Sequence, residues 1–444
     1  MPISRALVAC LLCVLALGSS RAEGAAVTET TLDNGLRVLV LEDHRNPIAT
    51  VQTWYKVGAR NEIPGATGLA HFLEHMMFKG TPAFGRGQFS RIIEENGGRD
   101  NAFTSHDVTS YYVNIAADRV DRVLGLEADR MRNLLLDARE IDSERQVVAE
   151  ERRTSTEDDP EGYLSEEFLA AAYKAHPYGW PVIGWMSDIQ RINPRELRAF
   201  YERHYLPNNA LLVVAGDVDT RRVLARVQET FGKVARGPAP PPMDAVEPPQ
   251  AAERRVQVYK TDARAAVVYI GYHVPNYASK DAPALELLST ILQEGRASRL
   301  YRRLVYERRL ALAIGGDYSY LSHDPNLFWF SGTPLPGQTP AALEQAIMDE
   351  IERVQNEPVP AEELERAKNQ IEAAFVWRQD SVYSRAATLA RFELAGSWRN
   401  SETYVSAIRQ VTAADLQRVA QTYFRTQGRT VGTLIPGPPP AAGR

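Results

Sequence analysis

The residue types best suited to chemistry sit in one short segment, GLAHFLEHMMFKG, Gly68 to Gly80. Leu69, Ala70, Phe72, Leu73, Met76, Met77 and Phe78 give it the character of a buried helix, yet it also carries His71, Glu74 and His75. On an α-helix, positions i and i+4 lie above one another on one face. His71 and His75 can therefore turn two ring nitrogens toward one point, as two of the four positions around a zinc ion require. Glu74 is rotated away from that pair, beside such an ion rather than on it. The order is HxxEH, the reverse of HExxH, with the same division of labour. Two nitrogens hold a cation and a neighbouring carboxylate takes a proton from water.

A catalytic zinc has three protein ligands and one open position. Both cysteines, Cys10 and Cys13, lie in the first 22 residues, so the third ligand must come from His, Asp or Glu. The segment IDSERQVVAEERR, Ile141 to Arg153, offers Glu144, Glu150 and Glu151. Glu144 and Glu151 are seven apart and share a helical face, with Val147 and Val148 between them expected to anchor that helix in the core. Spacing alone leaves all three glutamates open.

The elements that position these residues follow from the wider pattern. Residues 1–22 read as a cleaved secretory signal: Arg5, then an apolar run from Ala6 to Leu17, then Ser20-Arg21-Ala22. That run, about 12 residues, is too short to span a bilayer, and no later segment is long and apolar enough to cross one. Loss of the signal removes Arg5 and Arg21 and no acid, taking the net charge from −5 to −7. A mildly acidic chain without a clustered basic face is a poor nucleic-acid binder. Hydrophobic residues at 44% and charged residues at 24% of 444 positions fit a folded protein of two domains.

The proline-dense stretch RGPAPPPMDAVEPP, residues 236–249, reads as a stiff linker between residues 23–235 and 250–435, with a flexible tail at 436–444. The two halves look like distant copies. A strand at Val51 to Gly58 leads to the histidine helix, and a strand at Val267 to Val274 leads to a helix at Ala284 to Gly295. Matching Gly80 with Gly295 sets Glu286, Ser289 and Thr290 opposite His71, Glu74 and His75. The second copy therefore keeps the helix without the imidazoles. Strands mixed with long helices predict an α+β fold: two α/β sandwich halves, each a largely antiparallel sheet with helices packed on it.

HFLEH, followed by EERR about 75 residues later with a glutamate seven before, resembles the M16 metallopeptidases, the pitrilysin or insulinase family. LDNGLRVLVLED, GGRDNAFTSHDVTSYY, HPYGWPVIGW, FYERHYLPNNALLVVAGDVD and SRLYRRLVYERRLA are similar to that family too, over nearly the whole mature chain. Length and two-half layout resemble the subfamily that includes mitochondrial processing peptidase and bacterial homologues. The resemblance implies one zinc per chain held by His71, His75 and Glu151, Glu74 as general base and Glu144 supporting the site. Glu150 is the runner-up ligand. It also implies an edge strand at Asn101, Ala102 and Phe103 that receives substrate by strand addition, with Thr104, Ser105 and His106 as wall residues.

The expected function is that of an exported, periplasmic zinc endopeptidase cleaving peptides or unfolded segments. The family's clamshell commonly supplies Arg and Tyr from its metal-free half. Here Gly315 to Pro334 contains Tyr318 and Tyr320 but no arginine, and 49.5 kDa is half a single-chain clamshell. A second subunit is therefore expected, either an identical copy or a metal-free paralogue. The alternatives are a non-catalytic scaffold and a peptide-binding subunit of a hetero-oligomer.

Overall fold

A computed structural model describes residues 27–438. The expected signal, residues 1–22, and residues 439–444 of the expected tail lie outside the described residues. The fold is α+β, with two sheets and helices packed on both. The first sheet comprises β1 (Val27–Thr31), β2 (Arg37–Glu42), β3 (Ile48–Tyr55), β4 (Arg99–Thr104), β5 (Thr109–Ala116) and β6 (Ala210–Gly216). Its order is β1-β2-β6-β3-β5-β4. The second comprises β7 (Arg254–Lys260), β8 (Val267–Val274), β9 (Ala311–Tyr318), β10 (Asn326–Pro334) and β11 (Arg429–Pro436), in the order β7-β11-β8-β10-β9.

The internal repeat is visible as topology. With β1 set aside, each strand of the first sheet has a counterpart at the same place in the second. In each sheet one pair is parallel, β2 with β6 and β7 with β11, while the other pairs are antiparallel. The run ALLVVAG of β6 is buried throughout, as a strand covered on both faces must be. The expected tail begins later than its sequence suggests, because Pro436 still pairs with Lys260 in the ladder and the Gly437 N–H donates to the Lys260 carbonyl.

Each half lends a helix to the other. Helix Pro160–Ala172, from the first half, lays Leu164, Phe168 and Ala172 on Val258, Val267, Tyr269 and Leu434 of the second sheet. Gly271 in β8 makes room for this: a Cβ there would stand 2.7 Å from Cζ of Phe168. Reciprocally, helix Val382–Ala395 lays Val382, Ala386, Leu389 and Ala390 on Leu39, Trp54, Leu211 and Val213 of the first sheet. Burying an aliphatic side chain of this size stabilises by roughly 1.5–3 kcal/mol, so the exchange joins the halves more strongly than the linker alone would. Residues 236–249 form no helix or strand, and Glu247 within them accepts the backbone N–H groups of Lys174, Ala175 and His176.

Two carboxylates reinforce the exchange. Glu29 accepts from Arg37, from Trp398 Nε1 at 3.0 Å and from Arg399 at 2.7 Å. Asp43 pairs with Arg45 at 2.7 Å and Arg385 at 2.6 Å. Burial opposes ionisation of Glu29, but the bonds from Trp398, Arg37 and Arg399 outweigh it and bring its pKa down to about 2. The Arg45 bond leads a shift of Asp43 in the same direction. Carboxylates held below their unfolded values contribute stability above the unfolded pKa and lose it as pH falls through the folded one. The melting temperature should therefore drop between about pH 5 and about pH 2, and Glu29→Gln should flatten that slope. An unaltered slope in the variant would remove Glu29 from the clamp.

Candidate active site

The histidine helix, Leu69–Met76, starts from Gly68, whose backbone is left-handed (φ +85°). Gly68 lacks a capping side chain, and its orphan donors are taken from a distance. Gly68 N–H donates to Glu62 Oε2 at 2.8 Å and Ala70 N–H to Oε1 at 2.7 Å. A carboxylate at a helix N-terminus suits the macrodipole, and burial pushes that of Glu62 up to about 8 against those bonds. Leu69, Ala70, Phe72, Leu73 and Met76 face the core, which turns His71, Glu74 and His75 to the accessible side.

The second contributor is helix Ala138–Arg152, which buries Ile141, Glu144, Val148, Ala149 and Arg152. Arg152 clamps its end by bonding Glu166 at 2.8 and 2.9 Å and the Gly184 carbonyl at 2.9 Å. Gly184 in turn rests on Gly68: a Cβ on Gly184 would stand 2.6 Å from Gly68 Cα. One arginine thus fixes both helices of the site relative to each other. Val147, expected in the core, is instead 49% exposed. It lies about 100° around the helix from Val148, off the buried stripe.

Glu151 Oε1 lies 3.7 Å from His71 Nε2, and Glu151 Oε2 lies 3.4 Å from His75 Nε2. Both distances exceed a good N–H···O bond. They approach the roughly 3.3 Å that separates two ligands of a tetrahedral ion with bonds near 2.0 Å. Ligand atoms of His71, His75 and Glu151 all lie within 4.8 Å of one another, the one such group among the described residues. The donor set fits zinc in type and spacing. His75 donates Nδ1–H to Glu144 Oε1 at 2.9 Å, while Lys79 pairs with the other Glu144 oxygen. That bond selects the tautomer whose Nε2 lone pair faces Glu151. Burial opposes a charge on His75, but Glu144 and Glu151 bring its pKa up to about 9; burial and then His75 push His71 down to about 4. A metal binding here must displace the His75 proton.

Glu74 sits to one side of this cluster. Its Oε2 accepts the Thr104 hydroxyl at 2.5 Å, and burial raises its pKa against that bond. Thr104 closes strand β4, which forms one end of the first sheet and, among the described residues, pairs with β5 alone. The β4 residues Asn101, Ala102 and Phe103 therefore lie on a free edge beside Glu74. Ala102 N–H bonds the side-chain oxygen of Asn101 at 2.8 Å, which marks it as a donor outside the β5 ladder.

Residues 37–184 match the family described as Insulinase (Peptidase family M16), and residues 191–371 match the Peptidase M16 inactive domain. The zinc protease PqqE of Helicobacter pylori is 34% identical over 405 residues, covering 90% of this chain and 91% of that protein. The chain belongs to peptidase family M16. The crystal structure of a protease from Helicobacter pylori superposes with a TM-score of 0.90 at 33% identity, over 93% of this chain and all of that one. The periplasmic protease PqqL of Escherichia coli shares the fold at 21% identity and a TM-score of 0.75, with 93% of this chain matching 48% of that longer chain.

Within this M16 fold, Glu150 points away from the cluster and pairs with Arg153 at 2.7 Å. Of the residues the sequence singled out as walls, Thr104 holds Glu74, while His106 donates Nε2–H to the Trp180 carbonyl at 3.0 Å. In the second half, half-buried Glu286 stands near Tyr404, whose hydroxyl donates to it at 3.0 Å, and Ser289 and Thr290 are buried. The Tyr318 hydroxyl is committed to the Pro275 carbonyl at 2.7 Å. Sequence reading missed Lys79, which lies past the end of the histidine helix at Met76 and reaches Glu144 from the turn that follows. It also missed Glu62, whose bond spans a loop without a spacing rule.

Proposed function

We propose that this chain is an exported zinc metalloendopeptidase that hydrolyses peptides or unfolded segments. The observation that carries this reading is the convergence of His71, His75 and Glu151 beside Glu74 at a free sheet edge. The zinc-protease names of M16 relatives support it. Zinc held by those three side chains would supply Lewis acidity, polarising the scissile carbonyl and lowering the pKa of water.

The chain's own residues do the rest. A substrate segment adds as a strand along β4, exchanging backbone hydrogen bonds with groups such as Ala102 N–H in place of the Asn101 side chain. That holds an extended peptide next to Glu74 with little regard to its side chains. Thr104 fixes one oxygen of Glu74 and leaves Oε1 to meet the attacking water. Glu74 takes the water's proton as the C–O bond forms and passes it to the amide nitrogen as the C–N bond breaks, releasing an amine and a carboxylic acid. Glu144 keeps His75 in the required tautomer, and Lys79 offsets the charge of Glu144.

The oxyanion partner is assigned to a second subunit, an identical copy or a metal-free M16 paralogue. The commitment of Tyr318 to Pro275 and the lack of arginine in Gly315 to Pro334 support this. So does the length of PqqL, about twice that of the part matching this chain. Export to the periplasm rests on the signal-like residues 1–22. Among the described residues no helix is long and apolar enough to cross a membrane.

Purified chain assayed on a quenched peptide library should cleave, lose activity to a zinc chelator and regain it with zinc. If it is inert alone, a co-expressed M16 paralogue should restore turnover. Peptide binding without turnover under both conditions would favour the peptide-binding or scaffold reading.

A further inference from the structure

A sizeable cavity lies away from the candidate metal cluster. A space of about 740 Å³ lies between the two halves, on the face of the first sheet opposite the histidine helix. The parity of β4 sets this arrangement. Thr104 reaches Glu74 on one face, and Phe103 packs edge-on against Trp54, with ring centroids 5.4 Å apart, on the other. Trp54, Phe103, Phe168, Tyr269 and Trp329 make much of the wall aromatic. Pro240 to Met243, from the linker, form part of it as well. The volume lies within the range of small-ligand sites, about 300–1,000 Å³.

The charges around this space are unevenly matched. Arg60 is met by Asp107 at 3.6 Å and Asp324 at 3.4 Å. Asp107 also accepts the Tyr178 hydroxyl at 2.7 Å and the His323 N–H at 3.0 Å. Asp317, exposed on the second-sheet side, adds a third carboxylate near the space. Lys56 and Arg391 also line the cavity, and neither side chain makes an ion pair or a hydrogen bond among the described residues. Lys56 and Arg391 are both exposed to solvent. Two exposed cations without an ion-pair partner, beside an aromatic chamber, suit a ligand with an anionic head and an apolar body.

We propose that this cavity binds a small molecule with an apolar body and a carboxylate head, the head meeting Lys56 and Arg391 and the body lying against Trp54, Phe103 and Trp329. A short apolar peptide with a free C-terminus and a fatty acid share that chemistry. The site is separate from the proposed metal cluster, and its occupant would press on Phe103, one residue from the threonine that holds Glu74.

The test is calorimetric titration of Glu74→Gln holoenzyme, which avoids digestion, with N-acetyl-Leu-Phe-Phe, its C-terminal amide and dodecanoate. At least one of the two acids should bind, and the peptide acid, if it binds, should do so about tenfold more tightly than its amide. Binding of each acid should weaken about tenfold in a Lys56→Met, Arg391→Gln background. Lys56→Arg should retain the wild-type affinity, which separates charge from damage to the fold, and the melting temperature of each variant checks the latter. Which of peptide acid and dodecanoate shows the dependence on Lys56 and Arg391 identifies the source. Absence of millimolar binding by both acids overturns the proposal. So does equal binding of peptide acid and amide when dodecanoate does not bind, or acid binding indifferent to Lys56 and Arg391, as a carboxylate seated on the metal would be. The readout is binding without turnover, so it stands or falls independently of the peptidase reading.

Discussion

Glu74→Gln should retain about one zinc per chain while kcat on a quenched peptide falls by about 10³-fold. Glutamine preserves the volume and can still accept the Thr104 hydroxyl, so the histidine helix and β4 keep their relation. The exchange removes a group able to take a proton from water and return it to the leaving nitrogen. General-base catalysis contributes typically 10² to 10⁴ in rate, and few other bases stand near. His75 is committed to Glu144 through Nδ1 and faces Glu151 through Nε2. The loss should appear in kcat with KM little changed, because strand addition to β4 does not use the Glu74 charge. Thr104→Val provides the companion measurement. It removes the hydroxyl that fixes Glu74 Oε2 and should reduce kcat less than Glu74→Gln does. Full turnover by Glu74→Gln would exclude the residue as the base.

The second large effect concerns metal content. His71→Ala should lose zinc on dialysis against a weak chelator and lose peptidase activity with it, while Glu150→Gln keeps both. Three protein ligands are what a catalytic zinc site ordinarily has, and His71 supplies one that no neighbouring side chain can replace. Removing a supporting residue costs such sites about 10–100-fold in metal affinity, so removing a ligand should cost more. Glu144→Gln should fall in that intermediate range, since it weakens the hold on His75 Nδ1 without touching Nε2. Glu150 is 67% exposed at its side chain and paired with Arg153, which makes it the internal control. Elemental analysis of the dialysed variants decides the matter. Unchanged zinc in His71→Ala, or zinc lost from Glu150→Gln, would reverse the assignment.

The helix exchange gives these expectations a structural context. The glutamate helix ends at Arg152, which bonds Glu166 on the helix lent to the second sheet. The position of Glu151 is therefore coupled to the docking of the two halves, and acid loosening of the Glu29 and Asp43 clamps should reach the site through that contact.

The sequence alone determined that His71 and His75 share a helical face with Glu74 rotated beside them, because helical periodicity is a local rule needing no information from elsewhere in the chain. Residue alternation between turn signals likewise made the paired strands of the two halves legible. Only the tertiary structure placed Glu151, and not Glu150, beside the two histidines, since the two differ by the rotation the core imposes through Ile141 and Val148. It also decided that Val147 faces out, that Thr104 reaches Glu74, that Lys79 backs Glu144 and that each sheet is covered by a helix from the other half. These are meetings of segments 30 to more than 300 residues apart, as in Thr104 with Glu74 and Arg385 with Asp43. Such meetings are set by which faces remain to be buried once each element has formed, and no local pattern encodes them.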